Sequence, residues 1–96
     1  MESKLDESGM VRDLPFAICH KVCMLLNNTD LGNSYKMLAG VMGYEINEIK
    51  TFGLKDNPAE NLLQHWGTRG DSTNGKLIKY LTRIQRSDVI DVLYGR

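Results

Sequence analysis

The sequence predicts an all-α protein, and three observations support this fold class. Apolar residues recur at helical spacings of three and four from residue 14 onward, and no stretch alternates strictly enough to be a strand. Gly, Pro, Asn and Asp residues interrupt this pattern at short intervals, which divides it into six helices with short connections. The chain has 96 residues, enough for one small domain with a single core. We therefore expect a six-helix bundle in which neighbouring helices lie antiparallel.

The first twelve residues differ from the rest of the chain. They are polar and charged, contain Gly9, and show no apolar period. This composition is typical of a flexible leader or linker, which we expect over residues 1–12. The folded domain is expected over residues 13–96. Its first helix is predicted to begin after Asp13 as the N-cap, with Pro15 in the first turn, where the missing N–H is not needed.

The first three helices are predicted over residues 14–26, 32–42 and 45–52. Gly43 and Gly53 are expected to end the second and the third, since glycine readily adopts the left-handed conformation that follows many helices. Each helix carries one apolar stripe that should face the core. The stripe residues are Ile18, Val22, Leu25, Leu26, Tyr35, Leu38, Ala39, Met42, Ile46, Ile49 and Phe52.

The fourth helix has the clearest start in the sequence. Asn57 can cap its first turn, Pro58 suits the first helical position, and Glu60 follows three residues after the cap. The fifth helix is predicted from Ser72 or Thr73 to residue 84. The sixth helix is predicted to begin with Ser87 as its N-cap and to stop at Gly95. The residues expected in the core are Leu62, Leu63, Trp66, Leu77, Leu81, Ile84, Val89, Val92 and Leu93.

Composition and motifs argue against an enzyme or a metal protein. Residues 70–76 match the glycine and lysine spacing of a phosphate-binding loop, but Leu77 stands where a Ser or Thr should hold magnesium, so we interpret this stretch as a turn. Cys19, His20 and Cys23 lie on adjacent turns, yet zinc needs three or four converging ligands. We interpret both cysteines as core or boundary residues, and expect no catalytic residue, metal or cofactor. No apolar run has the ~18–20 residues of a membrane helix.

The charges balance in total but are unevenly distributed. Twelve Lys and Arg match twelve Asp and Glu, whereas a dedicated nucleic-acid binder usually carries a basic surplus. At spacings of three, four and three, one side of the fifth helix should present Lys76, Lys79, Arg83 and Arg86. Acidic pairs on the third and sixth helices are Glu45, Glu48, Asp88 and Asp91. These faces are either the solvated sides of amphipathic helices, complementary docking surfaces, or, for the basic one, a nucleic-acid contact.

Four strings of the sequence resemble the death-domain family over about residues 14–93. They are LPxxIxxKxCxxL from residue 14, GNxYKMLA from residue 32, NP followed by LLxxW from residue 57, and GKLxxxLxxIxRxDV from residue 75. The first two are similar to the death domain of netrin receptors, with Tyr35 where that family usually has tryptophan. The third is similar to both netrin receptors and the myeloid-differentiation adaptor of Toll signalling, and the last is closer to that adaptor.

This resemblance implies a non-catalytic module on the cytosolic side, which assembles with other death domains in apoptotic or NF-κB-type signalling. We expect the C-terminal domain of a netrin-receptor-like protein, a position compatible with an end soon after the last helix; a Toll-pathway adaptor or associated kinase is the alternative. Partners would be the same or related death domains, with a homo-oligomer possible and no direct membrane contact. Trp66 is expected to be structural. The charges expected to bind partners are Lys50, Lys55, Asp56, Arg69, Asp71, Lys79, Arg83, Arg86, Asp88 and Asp91.

Overall fold

The computed structural model describes residues 7–27 and 34–95. Within these ranges a short 3-10 helix, Val11–Asp13, precedes six α-helices, which confirms the all-α six-helix class. The α-helices are α1 (Phe16–Asn27), α2 (Tyr35–Val41), α3 (Ile46–Gly53), α4 (Pro58–Gly67), α5 (Asn74–Arg83) and α6 (Ser87–Leu93). In the part of the chain that the structure describes, none of these helices has the length and apolar character needed to cross a bilayer.

Helix α4 lies at the centre of the packing. It contacts α1, α2, α3 and the 3-10 helix, while α6 packs against α1 and α5. Its inward face carries Trp66, which is 2 % exposed and meets the Tyr80 ring at 6.0 Å in an edge-to-face arrangement. The predicted core residues that the structure buries are Val22, Leu26, Tyr35, Leu38, Ala39, Met42, Phe52, Leu62, Leu63, Trp66, Leu77, Leu81, Ile84, Val89 and Leu93.

Four residues predicted to face the core lie at its edge instead. They are only partly buried, although all pack against buried residues: Ile18, Leu25, Ile49 and Val92. On α1 the fully inward positions belong to Val22, Cys23 and Leu26. The apolar stripe of α1 is therefore rotated slightly from the predicted one, and a cysteine occupies a core position.

The described part of the N-terminal segment is held against the domain. The Asn74 N–H donates to the Gly9 carbonyl at 2.8 Å, and the Gly75 N–H donates to the Glu7 carbonyl at 2.9 Å. These donors belong to the first turn of α5, which has no partner for them within the helix. Val11 is buried, and the Tyr94 hydroxyl donates to the Glu7 carboxylate at 2.9 Å. Residues 7–12, which the composition predicts to be part of a flexible leader or linker, are therefore in contact with the folded domain.

Helix starts follow the predicted capping chemistry in some places and differ in others. The Asn57 side chain accepts the Glu60 N–H, as predicted, and Thr73 rather than Ser72 caps α5. Asp13 is not the cap of α1, because it lies within the 3-10 helix. Ser87 is the first residue of α6 rather than its cap. The predicted start of the second helix, at residue 32, lies outside the described residues.

Asn27 joins the end of α1 to the start of α4. Its side-chain oxygen accepts the Ala59 N–H at 2.8 Å, and its amide nitrogen donates to Asn57 Oδ1 at 2.6 Å. Ala59 is in the first turn of α4, so its N–H has no acceptor within the helix. Asn27 thus completes the capping of α4 from a position thirty residues earlier in the chain.

Replacing Asn27 by alanine should lower the free energy of unfolding by about 1–2 kcal/mol, because the Ala59 N–H loses its acceptor. Asn47 lies exposed on α3, so Asn47→Ala is the matched control and should change stability by less than about 0.5 kcal/mol. Urea denaturation followed by tryptophan fluorescence measures both. Equal stability of the two variants would contradict a capping role for Asn27.

The glycines at helix ends have two different physical reasons. Gly43 and Gly95 have positive φ angles of 97° and 76° after α2 and α6, a conformation that glycine adopts without strain. Gly53 is required by a close approach, because a Cβ atom at this position would lie 2.8 Å from the Tyr35 hydroxyl oxygen. The end of α3 therefore depends on the side chain that begins α2.

The close approach predicts a specific coupling between these two residues. Gly53→Ala should destabilise the domain by about 1–3 kcal/mol, since the new methyl group overlaps the Tyr35 hydroxyl. In a Tyr35→Phe background the overlap disappears, and the same substitution should be nearly neutral. Gly40→Ala in α2, where nothing lies within 4 Å, should stabilise by about 0.5–1 kcal/mol. Additive effects in a double-mutant cycle, measured by thermal and urea unfolding, would refute the overlap.

Candidate interaction surface

All but one of the charged residues predicted to bind partners are exposed. They lie on α3, on the two loops that flank α4, on α5 and on α6. The exposed residues are Lys50, Lys55, Asp56, Arg69, Asp71, Lys79, Arg83, Asp88 and Asp91. Since α3 packs against α2 and α4, whereas α6 packs against α1 and α5, these charges are distributed over separate faces of the domain.

Arg86 is the exception, and its predicted exposure is wrong. Its residue surface is 4 % exposed, and its guanidinium donates to both carboxylate oxygens of Asp88 at 2.9 Å. A further bond at 3.1 Å goes to the Leu25 carbonyl near the end of α1. Helix α5 ends at Arg83, and Gln85 has a φ of 60°, which redirects the chain. The helical spacing that placed Arg86 beside the other basic residues therefore does not continue that far.

The contacts of Arg86 shift the pKa of Asp88. The hydrogen bond from Arg86 holds the pKa of this carboxyl below its ordinary value, although partial burial opposes the shift. The bond to Leu25 places a positive charge near the C-terminal end of α1, where the helix dipole favours cations. Arg86 therefore connects α1 to α6 and is a structural residue.

The exposed basic residues of α5 form what we call the basic stripe, which consists of Lys76, Lys79 and Arg83. Lys76 Nζ lies 2.6 Å from the Asp71 carboxylate. This hydrogen bond raises the pKa of Lys76 and lowers that of Asp71, but both side chains are solvated, so the ion pair adds little stability. Lys79 and Arg83 are the members of the stripe that Asp71 does not engage.

Arg69 is held above an aromatic cluster. Its guanidinium carbon lies 5.0 Å from the centre of the Tyr44 ring, a cation–π contact. The Tyr44 hydroxyl lies 2.8 Å from His65 Nδ1, and the Phe52 ring packs edge-on against Tyr44 at 5.3 Å. Burial raises the pKa of Tyr44, while the positive charge of Arg69 opposes the shift. Arg69 is thus exposed but ordered, which reduces the entropy that it would lose on binding.

Exposed apolar residues at both ends of α3 were missed by the sequence analysis. Ile46, predicted to face the core, is 70 % exposed at the first position of α3. A capping box formed by Glu45 and Glu48 fixes that start. Leu54 is 85 % exposed beside the predicted residue Lys55. No periodicity marks Leu54, since it directly follows the helix.

The two cysteines are free thiols, with Cys23 buried and Cys19 at the boundary, as the sequence analysis interpreted them. Among residues 7–27 and 34–95, no three His, Cys, Asp or Glu side chains are grouped closely enough to hold a metal ion. Residues 70–73 form the turn into α5, with Thr73 as the cap of that helix, and residues 74–76 are its first turn.

A domain of six helices around one core, with opposite charges on different faces, has the architecture of a protein-interaction module. The family model described as Death domain matches residues 19–96, and the chain belongs to the death-domain family. It is therefore a non-catalytic interaction module.

Relatives with this domain include Tumor necrosis factor receptor superfamily member 16 from several vertebrates. The Homo sapiens protein is 34% identical over 87 residues, which cover 91% of this chain and 20% of the relative. The Gallus gallus protein is 34% identical over 89 residues, with 93% and 21% covered, and the Rattus norvegicus protein is 32% identical over 87 residues, with 91% and 20% covered. The chain thus spans about a fifth of the length of these curated relatives.

The structural role of Arg86 predicts the pH dependence of one substitution. Arg86→Met should lower the free energy of unfolding by about 2 kcal/mol at pH 7, since it removes charged hydrogen bonds to Asp88 and Leu25. A carboxyl whose pKa is lower in the folded state stabilises above its ordinary pKa of 3.8, and this contribution disappears as pH falls through the folded pKa. The gap between the wild type and Arg86→Met should therefore narrow below about pH 4.

Urea denaturation at pH 7, 4 and 2.5 tests this dependence. Arg83→Met is the matched control, because Arg83 is exposed at the end of α5, and it should change stability by less than about 0.5 kcal/mol at every pH. A loss that is the same for both variants, or that does not vary with pH, would show that the Arg86–Asp88 pair is not stabilising.

Proposed function

We propose that this death domain binds a second death domain, its own copy or a related one, through the exposed end of the basic stripe. Lys79 and Arg83 would contact an acidic face of the partner, such as the face of α6 that carries Asp91. The observation that supports this proposal is an exposed basic face on a domain whose formal net charge is zero. Such a molecule is complementary to a copy of itself when unlike faces meet.

The charge distribution favours asymmetric docking. Basic residues dominate the exposed side of α5, and acidic residues occupy α6 and the first turn of α3. A contact between the basic face of one copy and the acidic face of another leaves the acidic face of the first and the basic face of the second available. The arrangement can therefore continue from one domain to the next. Opposite charges across such a contact increase the encounter rate and select the correct register more than they increase the affinity.

We further propose that the domain acts on the cytosolic side, as part of a receptor-like protein in apoptotic or NF-κB-type signalling. The match to Tumor necrosis factor receptor superfamily member 16, over 91% of the chain, favours a receptor of that kind. The alternatives are a netrin-receptor-like protein and a Toll-pathway adaptor or kinase. Family membership and the two free thiols, which form no disulfide, support the cytosolic placement.

Charge reversal on the basic stripe tests the interface. The double variant Lys79→Glu/Arg83→Glu should weaken binding at least tenfold, because two attractive contacts become repulsive. Circular dichroism and the melting temperature should stay close to those of the wild type, since both side chains are exposed. The matched control is Lys21→Glu, a reversal of an exposed lysine on α1, which should leave binding unchanged. Biolayer interferometry measures capture by this domain and by the human relative's death domain.

A compensating change identifies the acidic face. Asp91→Lys on the captured copy should restore part of the binding to the Arg83→Glu variant. Full binding by the double reversal would refute the basic stripe as the interface.

Fluorescence anisotropy with DNA and RNA at about 50 mM salt tests nucleic-acid binding, which falls steeply with salt through counterion release. Salt-dependent nucleic-acid binding without any death-domain capture would overturn the proposed function.

A further inference from the structure

A pocket of about 640 Å³ opens between the 3-10 helix, α1 and α4. We call it the thiol pocket, because both cysteines of the chain line it. The charged residues named for the proposed interface on α5 and α6 are not part of its wall. Besides the two thiols, its apolar wall consists of Val11, Leu14, Phe16 and Leu63.

The two cysteines lie one helical turn apart on α1 and line the same pocket. Cys23 is buried, whereas Cys19 lies at the boundary with solvent. Hydrogen bonding with the Cys23 thiol lowers the pKa of Cys19 from its ordinary value of 9.0 to about 7, against the opposing effects of burial and of the Glu60 carboxylate. The same hydrogen bonding, together with burial, raises the pKa of Cys23. Cys19 is therefore the nucleophilic member of the pair, and Cys23 remains protonated.

The wall next to Cys19 is both apolar and open to solvent. Phe16 is 83 % exposed, and its ring stacks on His20 at a centroid distance of 5.8 Å with an interplanar angle of 18°. Both rings line the thiol pocket. An apolar chain placed in the pocket would remove the Phe16 face from water, which is favourable through the hydrophobic effect. The pocket thus combines a nucleophilic sulfur with a surface that favours an apolar ligand.

We propose that the thiol pocket is a site of covalent modification, in which Cys19 adds to α,β-unsaturated carbonyl compounds that carry a linear apolar tail. The tail lies along Phe16 and the neighbouring aliphatic side chains. Cys23 is a positioning residue, because it acts on the electrophile only through its hydrogen bond to Cys19. The modification does not depend on the proposed death-domain interface.

The reaction balances without an oxidant or a leaving group. The Cys19 proton passes to water, and the thiolate forms a carbon–sulfur bond at the β-carbon. The carbon–carbon π bond breaks, and its electron pair moves onto the carbonyl oxygen as an enolate. The α-carbon then takes a proton from water, which leaves a saturated carbonyl compound attached to sulfur through a thioether.

The charged and titratable groups around Cys19 come from three elements. His20 and Cys23 belong to α1, Glu60 to α4, and Arg12 to the 3-10 helix, and all four line the same pocket. Glu60 raises the pKa of Cys19, so it opposes the hydrogen bond from Cys23. The pH dependence of the reaction should therefore change most when Cys23 is altered.

Intact-protein and peptide mass spectrometry of the full chain with 3-nonen-2-one identifies the modified atom. One adduct is expected, on Cys19, and Cys19→Ser should abolish it. Imine formation at a lysine would release water, so its mass increase is smaller than that of the thioether adduct and the two products are distinguishable. Modification of Cys23 alone, or an adduct that persists in Cys19→Ser, would overturn the assignment.

The pH–rate profile tests the role of Cys23. A lower pKa gives more thiolate but a weaker nucleophile, so at pH 7 the wild type should react about sixfold faster than Cys23→Ala, assuming a Brønsted coefficient of about 0.45. At pH 9.5, where both thiols are mostly ionised, Cys23→Ala should be about sixfold faster. Cys23→Ser keeps a hydrogen-bond donor, so its pH–rate profile should have the same form as that of the wild type. A constant rate ratio at all pH values would show only a steric effect and would refute this role.

The length of the electrophile tests the apolar wall. We define the selectivity as the rate with 3-nonen-2-one divided by the rate with 3-penten-2-one, normalised to the same quotient for N-acetylcysteine. For the wild type this selectivity should be at least about five. Phe16→Ala should reduce this selectivity and leave the short enone unaffected. Met24→Ala is the matched control, since Met24 is an exposed apolar residue of the same helix that does not line the pocket. Equal selectivity in all three proteins would refute a pocket that holds the tail.

Discussion

Burial of one face of α4 is the constraint on which the rest of the domain depends. Trp66 and Leu62 are almost fully inaccessible, and α4 contacts three other helices as well as the 3-10 helix. A helix of ten residues is too short to be stable by itself in water, so its formation depends on this packing. Its first turn is completed by Asn57 and by the distant Asn27. The fold and the start of its central helix are thus established together.

The sequence predicted the elements of the fold more completely than the contacts between them. Six helices, the capped start at Asn57 and the glycine after α2 follow from local rules of periodicity and capping, which depend on a few neighbouring residues. The docking of residues 7–12 does not follow from such rules, because it uses backbone atoms, and these leave no pattern of side chains. For the same reason the polar composition of this segment predicts flexibility, although its carbonyl groups accept the first-turn N–H donors of α5.

For the candidate surface, too, local sequence rules predicted some positions correctly and others wrongly. Spacing alone placed Arg86 on the basic side of α5, and that inference required the helix to continue through residue 86. The left-handed conformation of Gln85 ends this continuity, and a residue chosen for docking becomes an internal link between α1 and α6. Where the helix does continue, as for Lys79 and Arg83, the predicted exposure and the observed exposure agree.

The contact between Glu7 and Tyr94 has a topological consequence. The hydroxyl and the carboxylate meet at 2.9 Å, so the beginning and the end of the described chain lie side by side on one flank of the domain. A new peptide link between them would need only a few residues, and the bundle should tolerate a cyclic or circularly permuted backbone. Polypeptide joined to both of these positions would leave from this one flank. The rest of the domain surface could then contact other molecules without obstruction by the attached polypeptide.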